Sequence, residues 1–279
     1  MPTFTRDGAT IHYIDTGPPA GRLDAATVFF GHGLLFSGWL FHPQIAALQS
    51  RYRCVAIEWR GQGGSPACND GYGMDTLTEG AVALIGLLEV APVHYVGLSM
   101  GGFVGLRIAA RRGELLRSLT LLDTGAGCED PDKAARYKLM ARIYRVTGIS
   151  PLRRVVVPLM FGPAFVADPS NKPVIDEWER RLRRCQRSGV SKAVLAVASR
   201  VPVEDEIAAI NVATLVIVGA DDAAISPDNA QTIADRVPGA RLEQIPNCGH
   251  CSTLEQPDTV TGLLREFLLR TSFRAGSQV

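Results

Sequence analysis

The sequence lacks the features that mark several large classes of protein. Its 279 residues include only six cysteines, too few for a disulfide scaffold. No apolar run reaches the roughly 18 residues that a membrane-spanning helix needs. Lysine and arginine number 29 against 28 for aspartate and glutamate, so the basic excess of a nucleic-acid-binding protein is missing. The N-terminus shows no secretion signal. These absences predict a cytoplasmic protein that binds neither nucleic acid nor membrane.

The composition supplies ample material for a folded core, since 46% of the residues are hydrophobic and 20% are charged. Short β-branched runs alternate with helical patterns, which is typical of an α/β fold with a mostly parallel sheet flanked by helices. A further strand is expected around His12. The predicted strands of the sheet are Thr27–Phe30, Cys54–Ile57, His94–Val96, Ser118–Leu122, Leu215–Val218 and Arg241–Ile245.

Helix signals lie between these strands. Thr76 and Glu79 have the spacing of a capping box, which predicts a helix start at Thr76. A second helix is predicted from near Met100 to a stop at Gly113. A last helix is predicted after Pro257, where apolar residues recur at helical spacing.

One long segment interrupts the alternation. From about residue 125 to residue 205 no strand is predicted, and arginine-rich helical patterns dominate. We therefore predict an α/β core formed by residues 1–124 and 206–279, with a helical cap at residues 125–205. The tail at residues 271–279 is small and polar and is predicted to fray. The oligomeric state cannot be deduced from these patterns.

The strongest chemical signal is Gly97–Gly102, which follows a predicted strand and opens a helix. Glycines on both sides of Ser99 relieve the crowding of a sharp turn, and that turn presents the hydroxyl at the carboxyl edge of the sheet. A serine becomes a useful nucleophile when such a turn holds it beside a base. The Met100 N–H, at the helix start, would face developing negative charge. We interpret Ser99 as a nucleophile rather than as a helix cap.

The base is expected among only five histidines. His250 lies in a loop of small residues between the last strand and the last helix, which places it at the same sheet edge as Ser99. The orienting acid should follow another strand. Asp221, Asp222 and Asp123 are all candidates, since each comes at the end of a predicted strand.

The segment His32–Leu35 follows the strand Thr27–Phe30. Gly33 allows the backbone to approach a ligand, and the Leu34 N–H is expected to donate a second hydrogen bond to an oxyanion beside that of Met100. His32 is expected to brace the loop rather than to transfer protons.

The order Gly-x-Ser-x-Gly, then aspartate, then histidine, with an upstream His-Gly loop, resembles the α/β-hydrolase superfamily over nearly the whole chain. The resemblance implies that Gly97–Gly101 is the nucleophile elbow and selects Asp222 over Asp221 as the acid. The segment Trp59–Ser65 is similar to a loop of that family, with Glu58 where aspartate is commoner. The overall pattern looks most like small esterases and 3-oxoadipate enol-lactonases.

The resemblance implies a serine hydrolase that cleaves a carboxylic ester or a lactone of a small molecule, with no cofactor. Two alternatives use the same triad, namely carbon–carbon bond hydrolysis and cofactor-free haloperoxidase chemistry. A ligand receptor that retains the fold is a third possibility. The residues expected around the substrate are Leu35, Phe36, Trp39, Met100, Met160 and Phe161.

Charged residues of the cap raise a further hypothesis about the substrate. The segment Arg180–Arg187 is rich in arginine, and Arg153 and Arg154 precede it. These residues are expected to lie on a solvated helix, although one of them would bind a substrate carboxylate if it faced the active site.

Neither redox chemistry nor metal binding is predicted from the cysteines and histidines. Cys248-Gly-His-Cys251 has the spacing of a redox motif, but the 28 residues that follow Cys251 are too few for the rest of a thioredoxin-like unit. The histidines are scattered rather than placed at the spacing of metal ligands, so no metal site is predicted.

Overall fold

The computed structural model describes residues 1–273 of the chain. Within them eight strands form one sheet. The strands are β1 (Thr3–Arg6), β2 (Ala9–Asp15), β3 (Thr27–Gly31), β4 (Arg53–Ile57), β5 (Val93–Leu98), β6 (Leu116–Leu122), β7 (Thr214–Gly219) and β8 (Arg241–Ile245). The α-helices of the same residues are α1 (His42–Leu48), α2 (Met74–Leu87), α3 (Met100–Arg111), α4 (Pro131–Thr147), α5 (Arg153–Met160), α6 (Pro163–Ala167), α7 (Lys172–Arg184), α8 (Arg187–Ala198), α9 (Pro227–Arg236), α10 (Ser252–Glu255) and α11 (Pro257–Phe273).

The sheet is mostly parallel. Its strands lie in the order β1-β2-β4-β3-β5-β6-β7-β8. The β1–β2 and β2–β4 pairs are antiparallel, and the other five pairs are parallel. Every residue of β3, β5 and β7 is buried, because helices cover both faces of the sheet. This burial explains why these segments are continuously apolar in the sequence, and the predicted α/β fold class is confirmed.

The six predicted strands correspond to β3 to β8, with ends that agree within two residues. The N-terminal strand expected around His12 is β2. Strand β1 was not predicted, because it has only four residues and only Phe4 among them is buried. An isolated buried residue produces no detectable alternation.

The helix predictions hold with one exception. Helices α3 and α11 begin where they are expected. The capping-box prediction is wrong, since α2 begins at Met74 after Gly73, which makes no side-chain cap, and Thr76 and Glu79 lie inside the helix. Met74 and Leu77 are both buried, so packing against the core starts the helix one half-turn earlier than the polar pattern indicates. Helix α11 also extends into the predicted tail, and residues 274–279 lie outside the described residues.

The long interruption between β6 and β7 is helical in the structure. It contains α4 to α8 and no strand within the described chain. We refer to residues 131–198, which contain these five helices, as the helical insertion. The division into a core and a cap at the predicted boundaries remains a prediction.

Among the helices described here, none combines the length and the apolar character that a bilayer-spanning segment requires.

Candidate active site

Ser99 occupies a sharp turn between β5 and α3. Its φ of 52° and ψ of −113° lie in a region that residues with a side chain rarely adopt. The turn is held by the Ser99 N–H, which donates to the Leu122 carbonyl oxygen at 2.9 Å. A Cβ atom at Gly101 would collide with the Gly31 carbonyl, and one at Gly97 would collide with backbone of α3. The glycines beside Ser99 are therefore required by close backbone packing.

His250 pairs with Asp222. Its Nδ1 lies 2.8 Å from Asp222 Oδ2, and both side chains are almost fully buried. The other oxygen of Asp222 accepts hydrogen bonds from the N–H groups of Ala224 and Ile225, each at 2.9 Å. These bonds fix the carboxylate, which in turn fixes the imidazole through Nδ1.

The protonation of His250 is set by opposing effects. Burial lowers the pKa of His250, but the charge of Asp222 and its hydrogen bond outweigh burial, so the pKa is raised above its ordinary value. Asp123 and Glu255 add smaller electrostatic contributions in the same direction. The imidazolium is therefore stabilised where a general base must hold a proton.

The other two acid candidates take different places. Asp221 is exposed, whereas Asp123 is buried behind the Asp222–His250 pair. Asp123 accepts hydrogen bonds from Gly219 N–H at 2.9 Å and from the Ser252 hydroxyl at 2.5 Å. Burial and the neighbouring charge of Asp222 raise the pKa of Asp123 to about 8. Asp123 thus joins the end of β7 to the start of α10 and does not contact the imidazole by a hydrogen bond.

The loop after β3 is braced by His32, as expected. The Trp59 N–H donates to His32 Nε2 at 3.1 Å, so Nδ1 carries the proton and donates to the Gly33 carbonyl at 2.7 Å. Burial lowers the pKa of His32 to about 4, which keeps the ring neutral. A neutral ring with both nitrogens engaged supports the loop and is unsuited to proton transfer.

Two backbone N–H groups remain available at this loop and at the start of α3. Within residues 1–273, the N–H groups of Leu34 and Met100 donate to no other group, whereas the Leu35 N–H donates to Gln62 Oε1 at 2.7 Å. Leu35 has a φ of 67°, so Gln62 stabilises an unfavourable backbone conformation. Gln62 was not singled out in the sequence, although it lies in the family-like loop Trp59–Ser65.

Ser99 and His250 both line one cavity, and the helical insertion contributes part of its wall. The lining is mostly apolar, and its members are Leu34, Leu35, Ser99, Phe103, Glu129, Tyr137, Met140, Ala141, Tyr144, Ile149, Leu152, Val156, Leu159, Met160, Val194, Val197, Ala224, Ile225 and His250. Most of these residues come from the insertion, whose side chains have no local sequence signal for the face that they present.

The residues predicted around the substrate lie in different places. Leu35 and Met160 line the cavity, but Phe36 and Trp39 line a separate, smaller cavity, and Phe161 lines neither. Phe161 instead packs on Phe165 and Trp178 in an aromatic cluster. Met100 is fully buried, so it offers its backbone rather than its side chain. The aromatic residues near the His32–Leu35 segment pack against aromatic side chains of the insertion.

Glu255 is a further buried carboxyl near His250, and the sequence analysis did not identify it. It accepts hydrogen bonds from Gly249 and Cys251, the two neighbours of His250, at 2.9 and 3.1 Å. It also accepts one from Gly162 of the insertion at 3.0 Å. Burial raises the pKa of Glu255, and the three N–H donors oppose that rise. Glu255 therefore ties the histidine loop to the insertion.

The cysteines around His250 are free thiols. Cys248 and Cys251 are fully buried, and burial raises the pKa of both. A thiol with a raised pKa forms little thiolate, so the Cys-Gly-His-Cys spacing has none of the environment of a redox motif. Across residues 1–273, no group of three or more histidine, cysteine, aspartate or glutamate side chains is arranged to hold a metal ion.

Comparison with known proteins agrees with this arrangement. The model of the alpha/beta hydrolase family matches residues 28–263. The enol-lactonase from Burkholderia xenovorans LB400 is 26% identical and superposes with a TM-score of 0.87 over 96% of this chain and 100% of its own. A thermophilic esterase from Thermogutta terrifontis is 25% identical, with a TM-score of 0.86 over 96% of this chain and 97% of its own. The 3-oxoadipate enol-lactonase 2 of Acinetobacter baylyi is 24% identical over 255 residues, which cover 91% of each chain.

Proposed function

This chain belongs to the alpha/beta hydrolase family, and we propose that it hydrolyses a carboxylic ester or a lactone through an acyl-enzyme intermediate. One observation carries the proposal. The turn that presents Ser99 and the loop that presents the Asp222–His250 pair meet at one apolar cavity. The enol-lactonase and the esterase that superpose on this chain support the choice of an ester or lactone bond.

In the proposed reaction the Ser99 oxygen attacks the carbonyl carbon while His250 Nε2 takes the hydroxyl proton. The carbonyl electron pair moves onto oxygen and gives a tetrahedral oxyanion. When the oxyanion collapses, the alcohol oxygen leaves and takes the proton from His250. In a lactone this leaving oxygen stays attached to the acyl group, so the ring opens. Water then attacks the acyl-enzyme by the same route and releases the acid.

Two backbone donors are proposed to stabilise the oxyanion. The N–H groups of Leu34 and Met100 have no other acceptor within residues 1–273. A single donor of this kind contributes about 3–4 kcal/mol of transition-state stabilisation in other hydrolases. Asp222 orients the imidazole and stabilises the imidazolium, and the N–H groups of Ala224 and Ile225 hold the Asp222 carboxylate in place.

A fluorophosphonate tests the proposed nucleophile without knowledge of the substrate. We expect intact-mass measurement to show one probe molecule on the wild-type chain, since the reagent reacts with an activated serine. Ser99→Ala should show no labelling, and His250→Ala should label at least about 100 times more slowly, because general base catalysis contributes 10²–10⁴-fold.

Labelling that persists in Ser99→Ala would refute the assignment of the nucleophile. A labelled wild-type chain that cleaves neither esters nor lactones would instead favour carbon–carbon bond hydrolysis or cofactor-free haloperoxidase chemistry. An unlabelled wild-type chain would favour the ligand-receptor alternative.

A further inference from the structure

The active-site cavity has an uneven distribution of charge. None of its lining residues is lysine or arginine, whereas Glu129 contributes a carboxylate to the wall. The other polar side chains of the lining are the hydroxyls of Ser99, Tyr137 and Tyr144 and the ring of His250. The only full charge that the wall presents away from the Asp222–His250 pair is therefore negative.

The cation nearest to this carboxylate is already engaged. Arg200 lies 2.8 Å from Glu129, and the side chains of both residues are more than nine-tenths buried. The guanidinium also donates to the Gly127 carbonyl at 2.9 Å and to the Val197 carbonyl at 3.2 Å. It stacks over Phe103, with its central carbon 4.4 Å from the ring centroid. These contacts hold Arg200 behind the cavity wall, so a substrate carboxylate would have to displace Glu129 to reach it.

The arginines of the insertion do not compensate. Arg153 and Arg183 pair with Glu179, and Arg180 and Arg181 pair with Glu177. These four arginines are at least two-fifths exposed and none of them lines the cavity. Their positions therefore do not support the hypothesis that one of these arginines binds a substrate carboxylate in the cavity.

Tyr137 is another polar residue of the cavity wall, and it favours uncharged groups. Burial, together with the nearby Glu129 carboxylate, raises the pKa of Tyr137 to about 12. The phenol is therefore neutral near pH 7 and can donate a hydrogen bond to an uncharged polar group. It adds no positive charge that would balance an anion.

We propose that the enzyme selects neutral, apolar acyl groups and that Glu129 is the specificity-determining residue that rejects acyl groups carrying a carboxylate. This proposal rests on the ester or lactone hydrolysis proposed above and names its substrate class. An anionic acyl group entering this cavity loses its hydration, approaches the Glu129 carboxylate and meets no lysine or arginine among the lining residues. A neutral acyl chain of the same length has no strongly hydrated charge to desolvate, and it buries its methylene groups against the apolar wall.

Matched esters test the proposal on the wild-type enzyme. The neutral member is 4-nitrophenyl pentanoate, and the anionic member is mono-4-nitrophenyl glutarate, which has the same acyl length and leaving group. The 4-nitrophenyl ester of glutaramic acid is a control that is polar but uncharged. Ser99→Ala measures spontaneous hydrolysis, which the neighbouring carboxylate accelerates in the glutarate.

We expect kcat/KM for the glutarate to be at least about 100-fold below that for the pentanoate, since two like charges brought together in a site repel each other strongly. The glutaramate should lie between the two. A glutarate that is cleaved as fast as the pentanoate, or faster, would overturn the proposal. Absence of hydrolysis of all three esters would count against the proposed function itself, so the two failures are distinguishable.

Substitutions at Glu129 test whether this residue causes the discrimination against the anionic ester. Glu129→Gln should raise kcat/KM for the glutarate by about 10-fold or more, because it removes the opposing charge and frees Arg200. The double variant Glu129→Gln/Arg200→Gln removes both charges and should keep a smaller gain. Arg180→Gln, on the outer face of the insertion, is the matched control and should leave the ratio of glutarate to pentanoate unchanged.

A ratio that stays at the wild-type value in both soluble, folded Glu129 variants would refute the role of Glu129. Circular dichroism and the melting temperature establish that each variant is folded. If the single variant does not fold, the double variant and the wild-type ester ratio still decide the proposal.

Discussion

The chemistry proposed for Ser99 depends on a backbone conformation that is itself unfavourable. A non-glycine residue such as Ser99, with a φ of 52°, carries about 1–3 kcal/mol of backbone strain. Such a conformation persists only where contacts with the surrounding structure enforce it. Here the Leu122 carbonyl and the close packing of Gly97 and Gly101 do so. His250 is constrained in the same manner, since Asp222 fixes its ring and is itself fixed by two N–H groups.

The raised pKa of His250 leads to a prediction about pH. Only the unprotonated imidazole accepts the Ser99 proton, so kcat/KM should fall as pH decreases through the His250 pKa, which lies above its ordinary value of 6.5. Asp222→Asn removes the main influence that raises this pKa. The acidic limb should then move to lower pH, and kcat should fall by about 10³–10⁴-fold. A pH series of initial rates with a neutral ester measures both effects.

Asp123→Asn is the matched control for this series. Burial and the neighbouring charge of Asp222 raise the pKa of Asp123, which favours its uncharged form, and an amide preserves an acceptor for Gly219 or Ser252. We expect kcat within about 10-fold of wild type. If Asp123→Asn lost more activity than Asp222→Asn, the orienting acid would have to be placed after β6 instead of after β7.

At the scale of elements, the loop between β8 and α10 is the most tightly determined part of the site. Glu255 bonds both neighbours of His250 and reaches across to Gly162. Gly162 and Gly249 are in such close contact that a Cβ on either would clash with the other. The base is therefore held by a loop that is also joined to the insertion, so the position of the insertion and the position of the imidazole are linked.

Glu255→Gln tests this link. Whichever way the amide is turned, its NH₂ group would face at least one N–H donor, so the unfolding free energy should fall by about 1–3 kcal/mol. Displacement of His250 should lower kcat by up to about 10²-fold with little change in KM for a neutral ester. Urea unfolding and steady-state kinetics measure the two effects. Glu114→Gln, an exposed residue paired with Arg112, should change neither, and a Glu255→Gln enzyme with wild-type kcat would contradict the positioning role.

At the scale of the whole molecule, the insertion packs on the sheet as part of the hydrophobic core. Trp178 is fully buried, packs against Phe36 and Phe161, and donates through its indole N–H to the Leu35 carbonyl at 3.2 Å. Leu35 belongs to the loop that carries the Leu34 N–H. The same contact therefore stabilises the fold and supports the proposed oxyanion donor.

Trp178→Ala should lower the free energy of unfolding by about 3–5 kcal/mol, as is usual when a large buried aromatic is truncated. Unfolding should remain a single transition, because the insertion and the sheet share this core. Chemical denaturation monitored by far-ultraviolet circular dichroism measures both. Leu139→Ala, at an exposed position of α4, should change the value by no more than about 0.5 kcal/mol. An early separate transition that leaves the main midpoint unchanged would show that the insertion folds independently.

Local signals in the sequence determined much of this protein. The strands β3 to β8 were predictable because residues buried on both faces must be apolar in succession, and the Ser99 turn was predictable because only glycine tolerates such close backbone contact. The resemblance to a known family then distinguished Asp222 from Asp221, a choice that the residues alone left open.

Tertiary structure decided the rest. Which side chains face the cavity depends on how α4 to α8 lie over the sheet. No local signal therefore indicated that Glu129 and Tyr137 line it, or that Phe36 and Trp39 line a second cavity. The positions of Glu255 and Arg200 were equally unpredictable. Their partners lie 93 and 71 residues away in the chain, and a contact between residues so distant in sequence leaves no local pattern. Burial and charge pairing across such distances are properties of the folded molecule alone.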